Sequence, residues 1–508
     1  MPASLRRAAF VRGPLLALML SAVALVGLLV VLFADPLRWF ASKPNQPPVV
    51  VYCAAGLKGP VERIAKEYEA EYGVPVQIQY GGSQTLLAQL EVAGRGDLYI
   101  PGDDSYLTAA RNKNLIAETL PLAAMRPVVA VAKGNPKQVL GADDLLRGDV
   151  KVSLANPDAA AVGAAARERL GKSGHWQPLA KKAAVSRTTV SESANDVRVG
   201  GADAAIVWDV TVRQVEGLEA VELPELAGEP AHVAAAVLRS SEQPTAALRF
   251  ARYLGARDRG LRRFADQGFR TVDGDAWAET PEIRLYAGAM LRPAIEETIQ
   301  EFEKREGVKV TRVYNGCGIL VAQMRGDARG PDAYFACDVS FMRQVEERFE
   351  KPVTVSANEL VILVPKGNPH GIEKLEDLGK PGLRVGVGNE KQCALGVLTQ
   401  QTLETGKVEP LVAKNVKVRS PTGDLLVNEL RTGALDAVIA YRSNAAAAGD
   451  AVEAKPVQLP CAVAEQPLAV GKTSDHKHTT ARLMDALRSP ESRRRFEKYA
   501  FTWKDGAR

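Results

Sequence analysis

The chain has 508 residues and a formal net charge of +5, long enough for more than one domain when single domains cluster at roughly 100–200 residues. Three of those charges, Arg6, Arg7 and Arg12, precede the first apolar segment, and the other basic residues are interspersed with acids. No basic stripe remains for a nucleic acid to bind, so that class of partner is excluded.

Residues 1–13 carry the three arginines and no acid, and residues 14–33 form an almost unbroken apolar run without charge. A helix needs about 20 apolar residues to cross the hydrocarbon core. The run is therefore a transmembrane anchor or signal segment, with 1–13 cytoplasmic and the bulk of the chain extracytoplasmic by the positive-inside rule. Leu32-Phe33-Ala34 fits a cleavage site poorly, which favours a single-pass anchor in the cell membrane over removal. Residues 34–48 read as a linker, stiffened by Lys43-Pro44-Asn45-Gln46-Pro47-Pro48.

Short apolar strands then alternate with helical patterns, the order of an α/β fold with mainly parallel sheets. Val49 to Tyr52 is a strand, Val61, Ile64, Ala65 and Tyr68 recur at helical spacing, and Val74 to Tyr80 is a strand again. Leu86, Leu87 and Leu90 mark a second helix, and Leu98 to Ile100 a buried strand. A second lobe follows, with strands at Val128 to Ala132, Val150 to Leu154 and Ala204 to Trp208 and a helix from Ala160 to Leu170. Helices near Ala246 to Tyr253 and Leu261 to Gln267 end this part.

The whole series is then written a second time. Val50-Val51-Tyr52-Cys53-Ala54-Ala55-Gly56 returns as Ile283-Arg284-Leu285-Tyr286-Ala287-Gly288-Ala289, Lys133-Gly134-Asn135-Pro136 as Lys366-Gly367-Asn368-Pro369, and Ala202 to Trp208 as Leu435 to Tyr441. Solenoid repeats have periods of roughly 20–50 residues, so an offset above two hundred means two tandem copies of a complete fold. The copies are placed at 49–270 and 283–503, joined by a linker at 271–282.

This ordered series resembles the molybdate-binding members of the type 2 periplasmic solute-binding proteins: an apolar strand into a small-residue turn, a helix ending before Gly73-Val74, the turn Tyr80-Gly81-Gly82-Ser83, and the strand Asp97-Leu98-Tyr99-Ile100. The resemblance implies that each copy has two α/β lobes hinged by crossing strands and closing on a small oxyanion, with an ABC transporter permease as partner. It implies no cofactor and no catalysis.

In open α/β sheets ligands sit beyond the carboxyl ends of the strands, and a tetrahedral dianion there is held by backbone N–H groups and helix N-termini without formal countercharges. This assigns Ala55, Gly56, Gly82, Ser83, Ala160 and Trp208 to the first cleft. Met290, Cys317, Cys393 and Tyr441 take the matching places in the second. The resemblance implies serines at both early turns and a tyrosine after the late strand. Gly56 and Met290 replace the first serine, Ser83 keeps the second while Cys317 does not, and Tyr441 keeps the tyrosine while Trp208 does not. On this count the first copy holds the better oxyanion set.

Cys317, Cys337 and Cys393 fall just beyond strands beside Met290, which leaves three readings: buried core, a disulfide across the cleft such as Cys317–Cys393, or a soft-metal or thiol-ligand site, since sulfur ligands favour copper(I) and zinc. Cys53 lies mid-strand and reads as core. A cysteine-dependent enzyme is disfavoured, because a thiol nucleophile needs a nearby base and none of the five histidines falls on a strand-end loop. His476 and His478 read as solvated.

Overall fold

A computed structural model describes residues 47–183 and 185–505. The apolar segment 14–33 lies outside them; among the described residues no helix is long and apolar enough to cross a membrane.

The first copy has two sheets, and in the second the two are joined into one of ten strands. In the first copy one lobe is a six-stranded sheet in the order Arg270–Thr271, Ile116–Met125, Ala231–Leu238, Leu98–Ile100, Val49–Ala54, Val76–Gly81. The other is five-stranded: Val185–Arg187, Val152–Ala155, Ala204–Trp208, Pro127–Ala132, Leu218–Val221. The second copy repeats the plan, except that one long strand, Val353–Pro365, pairs with Val463–Val470 in one lobe and with Ala437–Tyr441 in the other. Its counterpart in the first copy is broken at Arg126-Pro127. Proline has no N–H to donate, whereas Leu360, in the matching place, donates to Ala462 O at 2.8 Å and keeps the ladder running.

The sheets are mixed rather than mainly parallel. Val49–Ala54 pairs in parallel with both neighbours, but the strands that pass between lobes return antiparallel, Ala231–Leu238 against Leu98–Ile100 and Pro127–Ala132 against Ala204–Trp208. Crossing strands must enter one lobe and leave the other, and that reversal sets their direction. Four aspartates clamp equivalent strand pairs: Asp97, Asp203, Asp332 and Asp436 each accept a backbone N–H at 2.8 Å, from Val50, Lys151, Arg284 and Arg384. Asp97 and Asp332 therefore tie neighbouring strands together.

The copies pack against each other through groups that sequence patterning does not single out. Glu306, ending the helix Arg292–Glu306, is almost fully buried between Arg252 of the first copy and Arg482 of the second. Its carboxylate accepts from Arg252 at 3.2 Å and from Arg482 at 2.6 and 3.1 Å. The connecting segment is packed too. Trp277 meets Tyr253 edge-on at 4.9 Å and donates to the Tyr72 hydroxyl at 2.9 Å, while Asp275 accepts from the backbone of His478 and Thr479 at 2.8 and 2.9 Å. His476 and His478 are thus half-buried at this junction rather than solvated.

Burial alone would raise the Glu306 carboxyl, but Arg482 and Arg252 outweigh it and hold it below the ordinary glutamate value. A depressed folded-state pKa gives stability that is fully present above about pH 4.3 and is lost as pH falls through the lowered value. Glu306→Ala leaves two guanidiniums buried together and is expected to cost roughly 3–5 kcal/mol at neutral pH, measured by urea unfolding. The penalty should shrink as the wild type is acidified below about pH 4; a penalty independent of pH would contradict this electrostatic account.

Candidate functional site

The six residues that sequence assigns to the first cleft come together. Ala55, Gly56, Gly82, Ser83, Ala160 and Trp208 all line one small cavity between the lobes, with Gly102, Ala161, Thr189 and Val190. Three helices begin at its wall, Ser83–Ala93, Ala161–Lys172 and Val190–Arg198. Each presents the positive end of its dipole and its first backbone N–H groups. No lysine or arginine is among the lining residues.

The lobes are in contact here. Gln84 N, on one lobe, donates to Ala159 O on the other at 3.0 Å. The chains pass so closely that a Cβ on Gly82 would lie 2.5 Å from Ala159 O and 2.6 Å from Thr188 O, so any side chain would force the lobes apart. The second copy repeats the contact: Gly318 N donates to Gln392 O at 2.9 Å, and a Cβ on Gly316 would meet Pro421 O at 2.4 Å and Gln392 O at 2.5 Å.

Ser83 is 2% exposed, and its hydroxyl oxygen accepts from Gly102 N at 3.0 Å. Tyr99 holds the same turn by donating to Ser83 O at 2.7 Å. Trp208 is 2% exposed, with Cδ1 3.3 Å from where a Cβ on Gly56 would stand. Gly56 thus leaves room for the indole and for Val190, whose Cγ1 would be 3.0 Å from such a Cβ.

In the second copy Met290, Cys317, Cys337, Cys393 and Tyr441 are all buried. Cys317 and Cys337 are joined as a disulfide, with Cα atoms 6.2 Å apart. This corrects two expectations. The bridge does not cross the cleft, because Cys317 opens the helix Cys317–Gly326 and Cys337 follows the strand Ala333–Phe335 of the same lobe. It also stands where Ser83 and Gly102 share a hydrogen bond in the first copy. The soft-metal reading over Cys317, Cys337 and Cys393 loses two of its three thiolates to this bond, and among the described residues no group of three or more His, Cys, Asp or Glu is placed to hold a metal. Cys393 faces backbone oxygens, Asn389 O at 3.4 Å and Ser420 O at 3.6 Å, and burial pushes its thiol up. Such burial disfavours the thiolate, the form that acts as metal ligand or nucleophile. Cys53 is fully buried in its strand.

Tyr441 is 3% exposed, and its hydroxyl has no hydrogen-bond partner among the described residues. Burial, with Cys393 and Asp338 nearby, raises the phenol well above its usual value, so it stays a donor. Asp338 caps its helix by accepting from Ser340 N at 2.9 Å, the structural duty its position suggests. Sequence reasoning passed over Thr189 and Val190, and also Asn358, a buried amide on the crossing strand. The available signal was a polar Asn358 at the place where the first copy has an apolar Met125, just ahead of Glu359 and the apolar run Leu360 to Val364.

With one disulfide, the unfolded but unreduced chain should titrate three thiols, Cys53, Cys393 and Cys461, and five after reduction. Replacing Cys317 and Cys337 together by alanine reopens a loop of about 20 residues, for which chain entropy predicts a loss of roughly 3 kcal/mol. Five reactive thiols before reduction would refute the bridge.

A family model for the bacterial extracellular solute-binding protein matches the chain twice, over residues 49–270 and 283–502. A binding protein of Haemophilus influenzae is 30% identical over 221 residues, 43% of this chain and 89% of the relative. The molybdate-binding protein ModA of Mycobacterium bovis is 28% identical over 218 residues, covering 41% of this chain and 82% of ModA. Among solved structures, the periplasmic molybdate-binding protein of Azotobacter vinelandii aligns with 44% of this chain and 98% of its own, at 16% identity and a TM-score of 0.38. The family model matches twice in succession, as a duplication requires, and the chain belongs to the bacterial extracellular solute-binding protein family as a tandem pair of molybdate-binding-like copies.

Proposed function

We propose that the chain is a receptor for small oxyanions of the molybdate or tungstate type, held outside the cytoplasm by the apolar segment 14–33 and delivering its ligand to an ABC importer. Its binding units are residues 49–270 and 283–503. The observation that carries this reading is the convergence of three helix N-termini on the interlobe cleft: Ser83–Ala93, Ala161–Lys172 and Val190–Arg198 around a small cavity with no lysine or arginine in its lining, and Cys317–Gly326, Ala394–Thr405 and Gly423–Arg431 at the matching places of the second copy. Such a site holds an anion through oriented N–H dipoles and neutral hydroxyls. A cationic or apolar ligand would gain nothing from those dipoles. The names of the molybdate-binding relatives support the same ligand class.

The enzymatic alternative finds no support in the residues present. The Cys393 thiol is pushed up by burial, and its hydrogen-bond partners are backbone oxygens, with no base among them.

A ligand that binds the folded chain at 100 times its Kd adds about 2.7 kcal/mol of stability. Thermal unfolding with molybdate, tungstate, sulfate, phosphate, zinc and copper(I) should therefore show a saturable upward shift with at least one oxyanion and none with the metals. A shift with zinc or copper alone would contradict the reading.

A further inference from the structure

Asn358 lies on Val353–Pro365, the strand shared by both lobes of the second copy, and is 1% exposed. Its Oδ1 accepts from the backbone N–H of Ser443 at 3.3 Å. A backbone N–H can only donate, so this contact fixes which end of the amide is oxygen. The amide nitrogen, Nδ2, is left buried with no partner among the described residues.

It is not alone. The hydroxyls of Tyr441, Ser443 and Thr422 are likewise buried without a partner among the described residues. Strand pairing, one hydrogen bond and packing bring the four residues near one another. Tyr441 lies opposite Leu360, two residues along from Asn358, and Ser443 is bonded to Asn358 itself. Thr422 precedes Gly423, where a Cβ would lie 2.4 Å from the Asn444 side chain, which in turn accepts from Tyr441 N. Each buried, unpaired polar group carries a desolvation penalty. Four donors at one place call for an acceptor.

The first copy lacks this set. Its residues at the places of Tyr441, Asn358 and Ser443 are Trp208, Met125 and Val210, and the oxygen of Thr189, matching Thr422, accepts from Glu192 N at 3.3 Å. Met125 stands close behind the cleft wall, its methyl 3.7 Å from where a Cβ on the cavity-lining Gly102 would stand.

We infer that the second cleft alone carries the tight anion site, with Asn358 Nδ2 as its specificity-determining donor beside the Tyr441 and Ser443 hydroxyls, and that the first copy is a silent partner. This rests on the oxyanion reading and reverses the ranking that serine and tyrosine counting suggests. The disulfide takes the place of the Ser83 hydroxyl in this cleft, and Asn358 supplies the donor that the bridge removes.

The test is calorimetric titration of the full chain with molybdate and tungstate. One site per chain is expected. Asn358→Met, which installs the first copy's residue, should weaken binding by about 10- to 100-fold, the worth of one hydrogen bond to a charged group. Asn358→Asp is the sharper variant: it keeps the shape and the acceptor for Ser443 N but sets a carboxylate against the anion. It should abolish binding. A buried carboxylate also lowers the stability of the ligand-free chain, so circular dichroism of both variants at the titration temperature checks that each is folded, and Asn358→Met carries the comparison without an added charge. Two equivalent sites in the wild type, or a tight site surviving in Asn358→Asp, would overturn the inference and leave the oxyanion reading standing. An absence of tight binding by either anion to the wild type would overturn both.

Discussion

In each copy a backbone hydrogen bond joins the two lobes beside a glycine, Gln84 N to Ala159 O at Gly82 and Gly318 N to Gln392 O at Gly316, where Ile319 N also donates to Gln392 O at 3.3 Å. This contact is what the site depends on. It brings the N-terminus of a helix on one lobe against the loop that opens a helix on the other, so donors from both lobes converge on a space too small for a large solute. A side chain at either glycine would cut into a carbonyl oxygen at about 2.5 Å, and the helix ends would then face water instead of each other.

The second constraint is the frame behind the cleft. Four clamping aspartates hold equivalent strands at equal distances in both copies, so the loops that follow are delivered to the same places despite different side chains. That rigidity is why the copies can diverge in chemistry without diverging in shape. One carries a tryptophan in the space left by a glycine, the other a disulfide, an amide and a tyrosine. Between the copies, the buried Arg252–Glu306–Arg482 group and the packed Trp277 segment make the junction a fixed interface instead of a tether.

Much of this was legible in the sequence because duplication gives every assignment a second witness. The lobes, the glycine turns and the six residues of the first cleft follow from strand-end positions that recur at one offset. What escaped did so for physical reasons. The strand Ala231–Leu238 is four-eighths alanine, which carries no strand signal, and its place is set by neighbours on both sides. The mixed sheet direction depends on crossing strands whose partners are distant in sequence. The cysteine pairing could not be read because three sulfurs beyond three strands allow several bridges, and only the fold shows which two share a lobe. Asn358 was missed because the polar pair Asn358-Glu359 ahead of a long apolar run is read as a boundary, when Asn358 is a buried donor aimed by Ser443.

The central claim is that a small oxyanion is held between closed lobes by neutral donors. Crystals of the chain grown with tungstate would test it most directly, through the anomalous signal of the metal. The account predicts one strong peak in the second cleft, within hydrogen-bond distance of Asn358 Nδ2 and the Tyr441 hydroxyl. A peak at an exposed surface, or none between the lobes of either copy, would contradict it.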